Sequence, residues 1–254
     1  MHETLSGMAA VFDFDLGWPV YLFCLAAVFG GTILQRLAGQ GFGMLAAPLV
    51  MLVAPDYMPT ALLLVGLVVG LSSASLDYRA IVPKDLPAGF AGRTLGAVLA
   101  AMLAARLAGA EIFAALVALI VYLGIALSLI GLRVAIRPPA LFTAGMTAGI
   151  MGTLTAIGAP PMALLYQHAD QRRSAATQNM FFFFGMVVSI LALAWQGLVG
   201  TRHILFALAL SPIVPVALLA AQPLSRRFSK HSIRPAALTL AGLAATVLLV
   251  RQFW

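Results

Sequence analysis

Two polar interruptions, at matching places in two oily halves, constrain this chain more than any other feature. The first runs Gln35-Arg36-Leu37-Ala38-Gly39-Gln40-Gly41-Phe42-Gly43, followed by Met44-Leu45-Ala46-Ala47-Pro48. The second runs Gly149-Ile150-Met151-Gly152-Thr153-Leu154-Thr155-Ala156-Ile157-Gly158-Ala159-Pro160-Pro161. A shift of 113 positions carries Phe29 onto Phe142, Gly39 onto Gly152 and Pro48 onto Pro161. Each interruption breaks a long apolar run with glycines, small polar residues and a proline. Interrupted hydrophobic segments in corresponding positions of two halves are the best sequence pointer to a transporter's binding site.

Hydrophobic residues make up 62% of the chain and charged residues 9%, against about 25% charge in a soluble domain. The chain therefore reads as an all-α polytopic membrane protein. Its net charge of +7 then concerns orientation in the bilayer, and no nucleic-acid partner is expected. The single cysteine, Cys24, lies in an apolar run and can form no intrachain disulfide. No metal site and no cofactor are expected. The first residues lack a basic stretch, so no cleavable signal peptide is expected.

Residues 1–18 read as an acidic extracytoplasmic tail, 19–132 as a first repeat, 133–139 as a cytoplasmic linker and 140–254 as a second repeat. Each repeat is predicted to hold one broken helical hairpin and three transmembrane helices. The spans fall at 60–76, 88–107 and 112–132, then at 175–195, 204–221 and 235–250. Shorter apolar stretches, 44–54 and 162–166, follow the two breaks. Loop charges orient the whole. With the loop from Arg226 to Arg234 inside and the second break a re-entrant hairpin, Arg79, Lys84, Arg133, Arg137, Arg172, Arg173, Arg226, Arg227, Lys230 and Arg234 all fall inside. Only Arg106, Arg202 and Arg251 fall outside. Three spans per half, an odd number, make the second half inverted relative to the first, so the two hairpin tips should face each other near the midplane. Residues 21–38 are long enough to cross most of the core, which leaves open whether the first broken segment crosses or returns.

The breaks carry the candidate binding residues. Gly39, Gly41, Gly43, Gly152 and Gly158 let backbone approach a ligand, or merely let helices pack closely. The ends of broken helices offer free N–H groups and a positive dipole end. Pro48, Pro160 and Pro161 suit the first turn of a returning half-helix. Thr153 and Thr155 add hydroxyls, and Gln35 and Gln40 add amides. Arg36 and Arg93 are the cations that no loop claims. Either could neutralise an anion in the membrane, or snorkel to a headgroup. Thr177, Gln178 and Asn179 form a polar cluster with Ser174, suited to a ligand or to interhelical hydrogen bonds. Phe181 to Phe184 read as lipid-facing and packing bulk, the serines at 72, 73 and 75 as helix glue, and His168 and His203 as interfacial. No Asp or Glu falls mid-span, which argues against coupling through a buried carboxylate.

At Gly39-Gln40-Gly41-Phe42-Gly43 running into Ala47-Pro48, and at Gly152-Thr153 running to Gly158-Ala159-Pro160-Pro161, the chain resembles the sulfite exporter TauE/SafE family of membrane permeases. Arg173-Ser174-Ala175-Ala176-Thr177 resembles the family's basic, small, Ala-Thr opening of the following span. The resemblance implies a multi-pass protein of the bacterial inner membrane that exports sulfite, an organosulfonate or another small anion. A small anionic substrate and the lipid bilayer are then the partners, with a second copy of the chain as a further candidate. The residues also admit a channel-like anion facilitator, a carrier of a small carboxylate, or a membrane assembly protein without transport. An enzyme is disfavoured: the sequence holds no His-Glu-x-x-His, no paired intramembrane carboxylates and no Ser-His-Asp set.

Overall fold

A computed structural model describes residues 16–38, 41–107, 112–129 and 134–227, and residues 239–250 apart from 241 and 248. Among these residues every regular element is helical. The helices are α1 (Trp18–Ala38), α2 (Phe42–Val53), α3 (Thr60–Leu76), α4 (Leu86–Leu107), α5 (Ile112–Leu129), α6 (Pro138–Thr155), α7 (Ala159–Tyr166), α8 (Gln171–Trp195), α9 (Thr201–Leu210) and α10 (Ile213–Arg227). Four stretches are long and apolar enough to cross a membrane: Trp18–Leu37, Pro83–Arg106, Arg172–Trp195 and Thr201–Leu224. Large apolar side chains such as Leu71, Leu119, Leu191 and Leu219 are exposed, while Gln35, Arg93, Thr153 and Asn179 are buried. Apolar outside and polar within is the distribution a bilayer solvent selects.

The helix boundaries follow from local chemistry. Arg137 is extended before Pro138, as a residue preceding proline must be, and the proline's fixed φ starts α6. α6 stops at Ala156, which is left-handed at φ 62°. Its N–H returns to Gly152 O at 2.8 Å. Thr155 fixes that turn, donating to Met151 O at 2.8 Å and accepting from Ile157 N at 3.2 Å. Pro160 and Pro161 then open α7 at positions that need no N–H. Pro48 differs from expectation. It lies inside α2, which begins at Phe42, so its missing N–H deletes the bond that would close on the Met44 carbonyl. The span expected at 204–221 lies within the Thr201–Leu224 stretch, which Ser211-Pro212 divides into α9 and α10.

Both broken segments are helical hairpins. At 21 residues, α1 is about 31 Å long, a full hydrocarbon span. α2 doubles back along it: Gly31 lies against Phe42 and Ala46, and Gly30 against Leu45. The second hairpin is shallower, because α7 has 8 residues and rises only about 12 Å. α6 is gripped by α4 through a glycine ridge. A Cβ at Gly92 would lie 2.0 Å from Phe142 O, one at Gly96 2.1 Å from Met146 O, and one at Gly145 2.3 Å from Gly89 O. Backbones can approach so closely only where both faces lack side chains. α3 packs on α8, α10 on α1, and α5 on α7. Residues 1–15, Gly39, Gln40, the 130–133 part of the linker region and most of the basic loop after Arg227 lie outside the described residues.

Candidate functional site

The two breaks meet. Gly43, in the first turn of α2, sits so close to the second break that a Cβ there would lie 1.9 Å from Ala156 O and 3.2 Å from Ile157 Cα. Gly41 precedes it at φ 123° with Leu34 filling the space a side chain would need, a double requirement that only glycine meets. The Phe42 N–H donates to Gln35 Oε1 at 3.2 Å, and Gln35 Nε2 donates to Asn179 Oδ1 at 2.9 Å. One amide thereby ties the first break to α8.

Arg93 supplies the charge on the other side. It is 4% exposed, and its guanidinium lies at the tip of the second hairpin. Nη1 makes a very close contact with Ala148 O, and Nη2 donates to Ser189 Oγ at 3.2 Å. Ser189 Oγ is in turn 2.7 Å from Thr153 Oγ1. Arg93 Nε has no partner. Among the described residues no carboxylate lies within ion-pair distance of Arg93. Three glycines make room for the group: a Cβ at Gly152, Gly158 or Gly185 would fall 2.6, 2.7 or 2.4 Å from its atoms. The guanidinium faces a cavity of about 30 Å³, lined also by Gly158, Met162, Gln178, Phe182 and Met186. That is room for a water or two. Gln178 donates to Ser174 Oγ at 2.8 Å and leaves Oε1 unpartnered.

The expected site residues therefore divide. Arg93, Gly152, Thr153, Gly158 and Gln178 converge on the second hairpin tip and its cavity, with Pro160 and Pro161 at the start of α7. Gln35, Gly41, Gly43 and Asn179 gather at the first break. Thr155 is consumed by the turn it caps, and Thr177 Oγ1 accepts from Val82 N at 3.0 Å. Arg36 is paired elsewhere, donating to Asp77 Oδ2 at 2.6 Å with both side chains partly exposed. Sequence reasoning missed Ser189, Gly185 and the cavity-facing side of the phenylalanine run. Phe181 is buried against Phe90, Phe182 packs edge-on to Phe42, and Phe184 stacks on Phe90 at 3.8 Å. Gly185 and Ser189, small residues one helical turn apart, were the available signal.

A cluster of three or more His, Cys, Asp or Glu fit to hold a metal is not found among the described residues. What the arrangement offers is a cation in a low-dielectric interior, held by neutral oxygens with one of its N–H groups free, at the meeting point of two interrupted helices. Comparison with curated proteins and with solved structures gives no match. Residues 23–248 match the family model described as Sulfite exporter TauE/SafE. That match covers nearly the whole chain, apolar helices and both breaks included, and the protein belongs to the sulfite exporter TauE/SafE family.

Proposed function

We propose that this protein is a secondary transporter that exports a small anion, sulfite or an organosulfonate, across the bacterial inner membrane. The anion binds between two apposed broken-helix hairpins, with Arg93 as its counter-charge. The carrying observation is the buried guanidinium at the hairpin tip, with neutral partners only. A charge held mid-membrane costs roughly 2.5–3.5 kcal/mol on insertion scales, and a structural bundle gains nothing from bearing it unpaired. An oxyanion repays that cost through charge-assisted hydrogen bonds. Arg93, with its Nε–H free, and Gln178, with its Oε1 unpartnered, line one cavity. That donor and acceptor together fit an oxyanion that keeps one proton. The cavity is smaller than such an anion, so binding requires the flexible Met162 and Met186 side chains to yield.

Inverted repeats, a multi-pass topology and opposed hairpins belong to this reading. Three helix pairings support it: α1 with α2 mirrors α6 with α7, α10 on α1 mirrors α4 on α6, and α3 packs on its counterpart α8. Loop charge supports the same orientation. Export of an anion runs down the membrane potential, worth about 2.3 kcal/mol per charge per 100 mV. The chain then acts on no covalent bond and is not an enzyme. The test is uptake of labelled sulfite, a sulfonate and a carboxylate by proteoliposomes bearing wild type or Arg93→Gln. Loss of saturable anion flux in the variant is expected, and wild-type flux in it overturns the reading. Acceleration by unlabelled anion on the far side separates a carrier from a channel. Labelling of a cysteine at position 230 from outside intact cells would overturn the topology.

A further inference from the structure

Three polar atoms outside the Arg93 cavity are wholly buried and without a partner: Thr32 Oγ1, Ser73 Oγ and Asn179 Nδ2. Each of the three residues is 0% exposed. They belong to three different helices, α1, α3 and α8, and the helix registers bring them together. Arg36 and Asp77 join the ends of α1 and α3. Thr32 and Ser73 each lie four residues, one helical turn, before a member of that pair. Gly70 of α3 lies against Phe183 of α8, and Gly66 against Met186. Extending this antiparallel register by one turn sets Ser73 level with Asn179. Gln35, on the α1 turn between Thr32 and Arg36, binds Asn179 directly.

Elsewhere in this chain, helical hydroxyls without a side-chain partner turn back on a carbonyl one turn earlier. Thr94 does so to Phe90, Thr143 to Pro139, Thr147 to Thr143 and Ser211 to Ala207. That is the ordinary resort of Ser and Thr in a helix, and Thr32 and Ser73 do not take it. The polarity of the atom left unpartnered on Asn179 is fixed by backbone. The Phe42 N–H can meet only an acceptor, so Gln35 Oε1 faces it. Gln35 Nε2 then faces Asn179, whose Oδ1 must accept. The atom left over on Asn179 is its NH2, a donor. Two hydroxyls able to donate stand beside it.

We propose that the first break carries a second, uncharged oxyanion position formed by Thr32, Ser73 and Asn179. It rests on the anion-transport reading and adds a station to it. Phe42 and Phe182 separate the two: Phe182 lines the Arg93 cavity and packs edge-on to Phe42, with ring centres 6.0 Å apart, while the Phe42 N–H belongs to the Gln35 network. Arg36 adds no net charge here because Asp77 neutralises it. A charged station captures the anion, and a neutral one lets it leave. Conduction needs sites that bind well enough to fill and weakly enough to empty.

The experiment compares wild type, Arg93→Gln, Thr32→Val/Ser73→Ala and Asn179→Asp, with labelled sulfite as probe. Equilibrium binding in detergent, proteoliposome flux and thermal stability are measured on each. Thr32→Val/Ser73→Ala should keep binding and be at least as stable as wild type, since it deletes two unsatisfied buried hydroxyls. Its flux should fall about tenfold or more, the value of a hydrogen bond to a charged group. Asn179→Asp keeps the Oδ1 acceptor for Gln35 but turns the donor into an anion, and flux should again fall. Normal flux in either variant, while Arg93→Gln is inactive, overturns this second position alone. Loss of flux together with loss of stability in Thr32→Val/Ser73→Ala, with normal flux in Asn179→Asp, overturns it as well. Normal binding and flux in Arg93→Gln overturn instead the reading beneath it.

Discussion

Gly43→Ala is the smallest change that tests whether the two hairpins depend on each other. The new Cβ would stand 1.9 Å from Ala156 O. An ordinary C···O contact is roughly 3.3 Å, so α2 or the second hairpin tip must withdraw by about 1.4 Å. Neither can do so freely. Ala156 is already left-handed at φ 62° and held by its bond to Gly152 O. Withdrawal of α2 carries Phe42 with it and stretches the 3.2 Å bond from Phe42 N to Gln35, while opening the edge contact with Phe182. Overpacking costs about 1–3 kcal/mol and a lost buried hydrogen bond about 1 kcal/mol more, so the expected destabilisation is about 2–4 kcal/mol. Denaturation of the purified protein in detergent measures it. Gly200→Ala is the control, because its Cβ meets nothing closer than 3.5 Å, and it should cost no more than about 1 kcal/mol, the preference for glycine over alanine at the N-cap of α9. Anion flux should fall in Gly43→Ala and not in the control. If Gly43→Ala is as stable and as active as Gly200→Ala, the hairpin tips do not touch as described and the shared site loses its geometric basis.

Two further outcomes bear on the charged groups. The Arg36–Asp77 pair is 26% and 22% exposed, so Arg36→Ala and Asp77→Ala should each cost less than about 1 kcal/mol. The two should match each other in flux; a flux loss confined to Arg36→Ala would instead assign Arg36 to the anion. Tyr166 donates to the buried Asp85 carboxylate at 2.7 Å, pinning the end of α7 to the start of α4. Tyr166→Phe strands that carboxylate and should destabilise by about 1.5–3 kcal/mol, measured in the same denaturation assay.

Where an element is bounded by chemistry that acts locally, it was legible in the sequence. Residues 60–76 were read as a helix between Pro59 and Asp77, and α3 has those bounds. The two breaks were legible for the same reason, since glycine and proline punctuate a helix whatever surrounds it. Pro48 was misplaced because its position in α2 depends on where the helix begins, and that is set by Gly41 against Leu34 on another helix. The two arginines show the same limit. Arg36 lies in a break, yet its partner Asp77 is 41 residues away and only the α1–α3 packing brings them together.

Arg93 lies on an unbroken helix, marked in the sequence only as a cation that no loop claims, and it reaches the second hairpin because α4 and α6 approach along their glycine ridge. That ridge changes the meaning of the glycines at the second break. Read alone, Gly152 and Gly158 admit a ligand to bare backbone. In the fold they admit the Arg93 guanidinium, together with Gly185 from α8. Glycine at all three places carries a cost in chain entropy, and burying the cation carries another. A bundle selected for stability alone would fill those spaces with alanine and replace the arginine with leucine. Both costs are spent on the same few cubic ångströms, at the point where two interrupted helices touch. The electrostatic need there is for an anion that no carboxylate among the described residues supplies within reach of Arg93.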